Sequence, residues 1–389
     1  MDKIRVVALT EWFLPGTGGG GPVKSLYSLA HLLKNEVDFY IITANRDIKS
    51  KESYNLPVDT PIHKEAYTVI YLQKGFNAWK KIPSLTRGID PHIVYINGLF
   101  SVDFSIIPVF MKRAGLIQYP VLIAPRGMLE KGTIRIKFPK KRFFLFMAKI
   151  IKLYRGNLIY FHATSESEKK NILRYIGYVP IFIVPNYSPV LAPFVPLIKK
   201  ENEIHLVFIG RIAEETNLLF AIRTIKEFSD RSDLQITFHI YGNVEEVKYY
   251  HECMELADKI SRPHIQICYK GSLSFEEVPH TIQKYHFLFR PSVSENFGHS
   301  IIEALASGRP VIISNTNPWT GINESGCGWR LPLSIEKMKE ALTAAIKMPD
   351  DRYQQMCFNA LKYASEKMDP QRIKNQYIQM FINIVKAKK

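Results

Sequence analysis

The stretch SENFGHSIIEALASGRPVIISNTNP, residues 294–318, decides the fold of this chain. It follows an apolar run at residues 287–289, which predicts a buried parallel strand. Gly298 opens a short helical pattern, Gly308 ends it, and a second apolar run follows at 311–313. A strand, loop, helix and strand in this order predict an α/β unit. The helix N-terminus in such a unit offers an anion site above the strand ends.

Two carboxylates flank that helix start. Glu295 precedes the glycine turn, and Glu303 lies in the first turns of the helix. Carboxylates accept hydrogen bonds from hydroxyl groups and are poor partners for phosphate. The pattern therefore predicts a site for a nucleotide that carries a sugar. The alternative is an ordinary α/β crossover with two surface glutamates.

The motif at residues 295–311 resembles the E-x7-E motif of retaining GT-B glycosyltransferases of family 4, the group 1 enzymes of bacterial surface-polysaccharide synthesis. The resemblance rests on residues 295–298, 303–306, 308, 310 and 311. It implies that Glu295 faces the donor hexose and that Glu303 holds the ribose. It also implies a donor site made of Gly19, Gly20, Arg211, Asn217, Lys270, Gly271, Glu295, Asn296, Phe297, Gly298, His299 and Glu303.

The resemblance assigns the chemistry and the acceptor side as well. Glu295 and Arg211 are the expected catalytic residues, Glu295 orienting the hexose and Arg211 stabilising the leaving diphosphate. Residues at three strand ends of the first domain are the expected acceptor-side groups, namely Asn97, Arg126 and His162. A structural role for Arg126 or His162 is the alternative. No metal and no cofactor are expected, since no Asp-x-Asp pair is placed to chelate a metal.

Length and composition limit the fold. A chain of 389 residues predicts about two domains, and 46% apolar residues are enough for two cores. No apolar run reaches the ~18 residues that a spanning helix needs. The four cysteines are scattered without a CxxC pair, which favours reduced residues and a cytoplasmic location.

Strands alternate with helices along the whole chain and carry ligand loops at their ends, which predicts a doubly wound α/β architecture. The resemblance sharpens this to GT-B, with two Rossmann-like domains facing a cleft. We expect an acceptor-side domain at 1–190 and a donor domain at 203–368. A C-terminal helix at 369–389 is expected to return to the first domain.

A glycine-rich turn follows the first predicted strand. Four glycines at 18–21 precede Pro22, which suits the first turn of a helix. Glycines at a strand-to-helix turn let the backbone approach a ligand closely, although a flexible loop fits the pattern equally well. Beside the later motif, the turn resembles the first loop of GT-B enzymes.

One departure from the family pattern concerns the donor diphosphate. In the family, the Arg that corresponds to Arg211 is followed five residues later by a Lys, and here that residue is Thr216. A charged hydrogen bond is worth about 1.5–3 kcal/mol, so its loss predicts donor binding weaker by roughly tenfold to a hundredfold. Lys270 is a candidate substitute. The alternatives are that the donor is bound in an unusual way or that the protein has drifted from catalysis.

The formal net charge of +16 favours a polyanionic neighbour. Residues 131–155 hold nine Lys and Arg without an acid, and apolar residues from Phe143 to Leu153 form one broad face. A basic amphipathic helix of this kind predicts contact with an anionic membrane. The alternative is a buried helix with a solvated basic edge. No nucleic-acid-binding module is present, so nucleic acid is not an expected partner.

The predicted function is therefore that of a metal-independent, retaining hexosyltransferase. It would move a sugar from a nucleotide-diphosphate sugar to a hydroxyl of a glycan or lipid-linked acceptor, in lipopolysaccharide or capsule synthesis, in the cytoplasm or peripherally on the inner membrane face. The alternative is a non-catalytic GT-B scaffold that binds membrane or glycan through its basic face.

Overall fold

The structure is a computed structural model that describes residues 3–16, 18–48, 50–130, 134, 138–189 and 193–387. The chain forms two compact units. Residues 1–187 and 370–389 make up unit 1, and residues 188–369 make up unit 2.

Unit 1 is built on an eight-stranded sheet. Its strands are β1 (Ile4–Leu9), β2 (Val37–Ala44), β3 (Pro61–His63), β4 (Thr68–Leu72), β5 (Ile93–Asn97), β6 (Val121–Ala124), β7 (Ile159–Ala163) and β8 (Ile181–Ile183). The strand order is β3-β4-β2-β1-β5-β6-β7-β8, and only β3 pairs antiparallel. The central strands are continuous apolar runs because a parallel sheet is covered on both faces.

Among the residues that the structure describes, five α-helices of unit 1 precede unit 2 in the chain. They are α1 (Gly21–Leu32), α2 (Phe76–Ile89), α3 (Ile107–Arg113), α4 (Phe138–Ile150) and α5 (Glu166–Tyr175). Pro22 lies in the first turn of α1, as predicted. The Ser165 hydroxyl caps α5 by accepting from the Glu168 N–H at 3.1 Å. The Glu168 carboxylate itself turns away, to the backbone N–H groups of Gly127 and Thr164.

Unit 2 is built on a six-stranded parallel sheet. Its strands are β9 (Glu203–Ile209), β10 (Gln235–Tyr241), β11 (Ile265–Tyr269), β12 (Phe287–Arg290), β13 (Val311–Ser314) and β14 (Gly328–Leu331), in the order β11-β10-β9-β12-β13-β14. Its helices are α6 (Leu218–Lys226), α7 (Val247–Ile260), α8 (Glu277–Ile282), α9 (His299–Ala306), α10 (Ile335–Ile346) and α11 (Asp350–Lys367). The predicted doubly wound α/β fold is confirmed by these two sheets.

The last helix, α12 (Pro370–Lys386), belongs to unit 1 and lies against β5. Its buried residues are the ones that the helical spacing predicts, Ile373, Tyr377, Met380, Phe381 and Ile384. Lys374 adds an ion pair with Glu36, with Nζ and Oε1 at 2.5 Å. The expected return of the chain to its first domain is confirmed.

Helix α4 differs from the predicted single apolar face. Leu145 and Ala148 are buried in the core of unit 1, whereas Phe143, Phe146 and Ile150 are at least half exposed. Apolar residues therefore lie on both sides of this helix. Lys131, Arg135 and Lys137 of the predicted basic segment lie outside the described residues. Within the described part of the chain, no helix is long and apolar enough to cross a bilayer.

Candidate functional site

The strand order of unit 2 creates a crevice between two central strands. From β9 the chain winds outward through β10 and β11, and then returns to place β12 on the other side of β9. β9 and β12 pair in parallel, with Leu288 opposite Val207. In open α/β sheets, ligands bind at the carboxyl ends of strands where the winding reverses. The loops after β9 and β12, which carry Arg211 and Glu295, lie at this point.

Glycines pack the neighbouring loops closely. Gly242, after β10, has a φ of 147°, and a Cβ there would overlap the backbone oxygen of Gly210. The Gly242 N–H donates to the Gly271 carbonyl at 2.8 Å. Three strand ends are thereby held side by side. The predicted donor residues Lys270 and Gly271 lie in the third loop, where Lys270 is exposed.

Arg211 carries the positive charge at the end of β9. Its guanidinium pairs with the Glu245 carboxylate and, at 3.4 Å from Nη2 to Oε2, with Glu215. Burial lowers the pKa of Arg211, but Glu245 and Glu215, with a smaller contribution from Glu295, raise it above its usual value. The Arg211 side chain is 43% exposed. It is therefore a fixed, partly accessible cation that two carboxylates balance.

Thr216 is turned into the protein. Its hydroxyl lies 2.8 Å from the carbonyl oxygens of both Arg211 and Ala213, and the residue is only 3% exposed. The side chain thus closes the short 3-10 turn Glu214–Thr216. The next residue, Asn217, has a φ of 61° and donates to the Pro291 carbonyl at 2.9 Å. This bond joins the loop after β9 to the loop after β12.

Glu295 is paired with an arginine that the sequence analysis did not identify. Arg290 is the last residue of β12, and its Nη2 lies 2.7 Å from Glu295 Oε2. The pair is nearly buried, with side chains 10% and 17% exposed. The sequence signal was a charged residue that ends the apolar run Phe287–Phe289 just before a proline. This arginine fixes one oxygen of the carboxylate that the motif points to.

The start of α9 has the expected shape. Gly298 has a φ of 75°, and a Cβ there would lie 2.9 Å from Ile301 Cδ1 and 3.0 Å from Glu295 Cγ. The predicted left-handed cap at Gly308 is also confirmed, with a φ of 69°. The first N–H groups of a helix lack intrahelical partners and carry partial positive charge. This turn therefore suits an anionic group.

Aromatic packing holds that turn in place. The Trp319 indole N–H donates to the Phe297 carbonyl, and the two rings lie 5.1 Å apart between centroids. The ring of His299 packs on Phe297 from 4.7 Å. Trp319 is 6% exposed and therefore serves in packing. Of the remaining predicted donor residues, Glu303 is buried on α9 and Asn296 is half-buried in the loop.

In unit 1, the three predicted acceptor-side residues form one buried network. Arg126 Nε donates to Asn97 Oδ1 at 2.8 Å, and Nη2 donates to the Tyr95 hydroxyl oxygen at 2.7 Å. Tyr95 in turn lies 2.7 Å from His162 Nδ1. A further guanidinium nitrogen of Arg126 donates to Asn186. Because Arg126 is 7% exposed and His162 is fully buried, their contacts are made inside the protein.

His162 is held as a neutral imidazole. Its Nε2 lies 2.8 Å from the Val184 carbonyl oxygen, which can only accept, so Nε2 carries the proton and Nδ1 accepts from Tyr95. Burial, and then the charge of Arg126, lowers the pKa of His162 to about 3, although the bond to Val184 acts the other way. The histidine therefore stays uncharged at neutral pH.

The glycine-rich turn is tied to this network. Gly20, with a φ of 59°, precedes α1 and accepts from the Lys24 N–H at 3.1 Å. Asn97 Nδ2 donates to the Pro22 carbonyl at 3.0 Å. A Cβ on Gly19 would lie 2.6 Å from Val23 Cγ2, so the turn has no room for a larger residue. The end of β5 and the start of α1 are thus fixed together.

A groove lies beside the exposed apolar surface of α4. It has a volume of about 520 Å³ and is lined by Ile134, Arg142, Leu145, Phe146, Lys149, Arg174 and Tyr175. Three of these residues are cationic, and Phe146 is 60% exposed. We call the exposed side chains Phe143, Phe146, Met147, Ile150 and Ile151 the α4 surface. It combines apolar area with positive charge.

Comparison with known proteins shows which proteins unit 2 is similar to. Residues 194–362 match the family model described as "Glycosyl transferases group 1". A GDP-mannose-dependent alpha-mannosyltransferase of Corynebacterium glutamicum is 32% identical over 163 residues, or 41% of this chain. The O-antigen chain mannosyltransferase RfbU of Salmonella typhimurium is 27% identical over 152 residues, or 39% of this chain. The chain spans only 35% and 41% of the lengths of these two relatives.

Solved structures extend the likeness in fold over almost the whole chain. A sucrose-phosphate synthase from Thermosynechococcus elongatus superposes with a TM-score of 0.75 at 14% identity, covering 99% of this chain and 100% of that one. At this identity the likeness shows the fold. Residues 194–362 thus match the group 1 glycosyl transferases, and the chain has the GT-B fold.

Proposed function

We propose that this protein is a retaining, metal-independent hexosyltransferase that moves a sugar from a nucleoside-diphosphate sugar to an acceptor hydroxyl. The observation that carries the proposal is the meeting of Arg211, Glu295 and the start of α9 at the reversal of the strand winding in unit 2. A cation and a helix N-terminus suit a diphosphate. A carboxylate beside them suits sugar hydroxyls.

The proposed roles follow from these chemistries. Arg211 and the amides near Gly298 and His299 stabilise the negative charge that builds on the departing diphosphate. Glu295 orients the hexose, and Glu303 holds the ribose. The transition state is oxocarbenium-like, as in other glycosyl transfers. In this proposal the leaving phosphate accepts the proton of the acceptor hydroxyl.

Other predicted residues fill supporting roles in this proposal. Lys270 and Gly271 receive the nucleotide, and Gly19 and Gly20 form a ligand loop in unit 1. Asn97, Arg126 and His162 shape the acceptor side as a rigid buried frame, since their side chains bond to one another and to the backbone. Asn217 holds the loop after β9 in place.

The two relatives named above suggest the donor. Both are named mannosyltransferases, and one is named as GDP-mannose-dependent. We therefore propose GDP-mannose as the first donor to test. The O-antigen relative supports a surface glycan as acceptor, in lipopolysaccharide or capsule synthesis.

We also propose that the acceptor is lipid-linked and that the α4 surface rests on an anionic membrane from the cytoplasmic side. Five exposed apolar side chains beside Arg142, Lys149 and Arg174 support this. Basic residues near anionic lipid contribute about 1 kcal/mol each. A vesicle flotation assay with and without phosphatidylglycerol tests the contact. We expect binding to anionic vesicles only, lost in Phe143→Ser/Phe146→Ser and kept in Phe358→Ser, an equally exposed control in unit 2.

A second candidate function is a non-catalytic GT-B scaffold that binds membrane or glycan through its basic face. Two observations favour it: Thr216 offers no cation, and Arg211 is already balanced by Glu215 and Glu245. An incoming diphosphate must compete with these carboxylates. The carboxylates of Glu295 and Glu303, which suit sugar hydroxyl groups, favour the enzyme.

Calorimetry with GDP, UDP and ADP in the presence of EDTA, followed by a transfer assay with the matching sugar nucleotides, separates the two functions. We expect one nucleotide series to bind without metal and to support transfer. Glu295→Ala should abolish transfer and leave nucleotide binding largely intact. Glu255→Gln, an exposed carboxylate on α7, is the control. Binding of none of the nucleotides at millimolar concentration, or full transfer by Glu295→Ala, would refute the enzyme proposal.

A further inference from the structure

Arg290 occupies the centre of the candidate donor site. Its Nε donates to the Ser292 hydroxyl at 3.2 Å, and Nη1 donates to Ser300 Oγ at 2.9 Å and to the Ile209 carbonyl. Its Nη2 donates to Glu295 Oε2 at 2.7 Å. One guanidinium therefore joins the end of β9, the loop after β12 and the first turn of α9. These are the elements that form the switch point.

The contacts of Glu295 divide its two oxygens between different tasks. Oε2 is held by Arg290. Among the residues that the structure describes, none donates a hydrogen bond to Oε1. Oε1 is thus the oxygen left for a sugar hydroxyl. With one oxygen bonded to a planar guanidinium, the carboxylate plane has a fixed orientation.

A second buried arginine in unit 2 shows what a purely structural role looks like. Arg309 is fully buried, and its guanidinium donates to the backbone carbonyls of Val195 at 2.6 Å, Gln283 at 2.8 Å and Gly308 at 3.2 Å. These bonds join backbone segments, and none of them goes to a carboxylate of the candidate site. Arg290 differs because its charge-assisted bond goes to the residue expected to face the hexose.

We propose that Arg290 is a positioning residue for Glu295, which it holds in the orientation that accepts a hydroxyl of the donor sugar. The inference rests on the proposed function. It predicts that Arg290 acts on the sugar and on the transfer step through Glu295. The nucleoside diphosphate, which has no hexose, should be bound equally well without it.

The test measures binding and transfer in Arg290→Gln, Arg290→Lys, Glu295→Gln and the double variant Arg290→Gln/Glu295→Gln. Misplacing a group by about 1 Å can cost about a hundredfold in rate, and we expect a loss of kcat of this order in Arg290→Gln. The Kd for the nucleoside diphosphate should stay within about threefold, a difference of less than 1 kcal/mol. Arg290→Lys should recover part of kcat, because it restores a donor for Glu295.

The double variant separates positioning from packing. If Arg290 acts through Glu295, removing both residues should be no worse than Glu295→Gln alone, because residues that act as a unit are not additive. Calorimetry compares the Kd of the nucleoside diphosphate with the Kd of the sugar nucleotide. Any tighter binding that the sugar gives in the wild type should be absent in Arg290→Gln. Arg309→Gln should lower the urea midpoint of unit 2. It should leave the difference in affinity between the sugar nucleotide and the nucleoside diphosphate as in the wild type.

Additive losses in the double variant would overturn the inference, as would an equal loss of nucleoside diphosphate binding in Arg290→Gln. A wild type that binds and transfers a sugar, with an unaffected Arg290→Gln, overturns the inference and leaves the proposed function standing. A wild type that binds no sugar nucleotide at all overturns both.

Discussion

Protonation of His162 should make acid destabilise unit 1. In the folded protein its Nδ1 accepts from Tyr95, whose hydroxyl oxygen also accepts from the Arg126 guanidinium. A proton on Nδ1 would remove that acceptor and add a positive charge beside Arg126 at a fully buried position. Burial and the Arg126 charge therefore lower the pKa of His162 from 6.5 to about 3.

The size of the effect follows from linkage. Between the two pKa values, the unfolded chain binds a proton that the folded chain does not, so stability falls as the pH falls below about 6.5. The loss is complete near the folded-state pKa of about 3. Between about pH 7 and pH 4 the contribution of this one residue is about 3 kcal/mol of unfolding free energy.

Hydrogen exchange measured by mass spectrometry reads the two units separately. We expect peptides that cover β7 to lose protection on acidification, and this loss should be smaller in a variant whose residue 162 does not titrate. His162→Gln, which keeps an N–H donor for Val184 but does not titrate, should show about 3 kcal/mol less acid destabilisation of unit 1. His63→Gln, an exposed histidine in the same unit, is the control. Equal acid destabilisation of the wild type and His162→Gln would refute this account.

Three further predictions concern unit 2. Gly298→Ala puts a side chain on left-handed backbone and should cost about 1–2 kcal/mol in urea unfolding of this unit; an unchanged midpoint would contradict the tight turn. Gly242→Ala directs a methyl group onto the backbone oxygen of Gly210 and should weaken nucleoside diphosphate binding by more than about tenfold in calorimetry; wild-type affinity would show that the loops can separate. Burial raises the pKa of the Cys253 and Cys327 thiols to about 12, so iodoacetamide should label them only after unfolding; labelling of the folded protein at neutral pH, read by mass spectrometry, would contradict this.

Much of the fold was predictable because its signals are local. The run Phe287–Phe289 became part of a strand buried on both faces, and the spacing of apolar residues in the tail gave α12 and its buried face. Gly298 and Gly308 were predictable as turn residues, and both adopt positive φ. Local signals suffice to predict an element whose position depends only on its own apolar spacing or on its own cap.

The candidate site was less predictable, because its partners are set by tertiary packing. Arg211 and Glu245 are 34 residues apart, and Arg126 and Asn186 are 60 apart, so no spacing rule joins them. Ser165 and Glu168 have the spacing of a capping box, but the Glu168 carboxylate accepts from the Gly127 N–H in the loop after β6. A carboxylate with several possible donors accepts from those that the fold brings nearest.

Helix α4 was mispredicted in detail for a related reason. Its apolar residues were assigned to one face, but the core of unit 1 takes only Leu145 and Ala148 from it, and Phe143 and Phe146 point outward. The spacing of apolar residues predicts the buried face of a helix when the opposite side is polar. When apolar residues occupy both sides, the spacing does not show which side is buried.

The discontinuity of unit 1 has a consequence for biosynthesis. Unit 2 is one continuous segment, whereas α12 leaves the ribosome only after all of unit 2 has been made. Until then, the surface of unit 1 that buries Tyr377 and Phe381 has no cover. Domains usually fold in the order of their synthesis. Here the later-made unit can finish first, and the growing chain carries an uncovered apolar patch that a chaperone could shield until translation reaches the last helix.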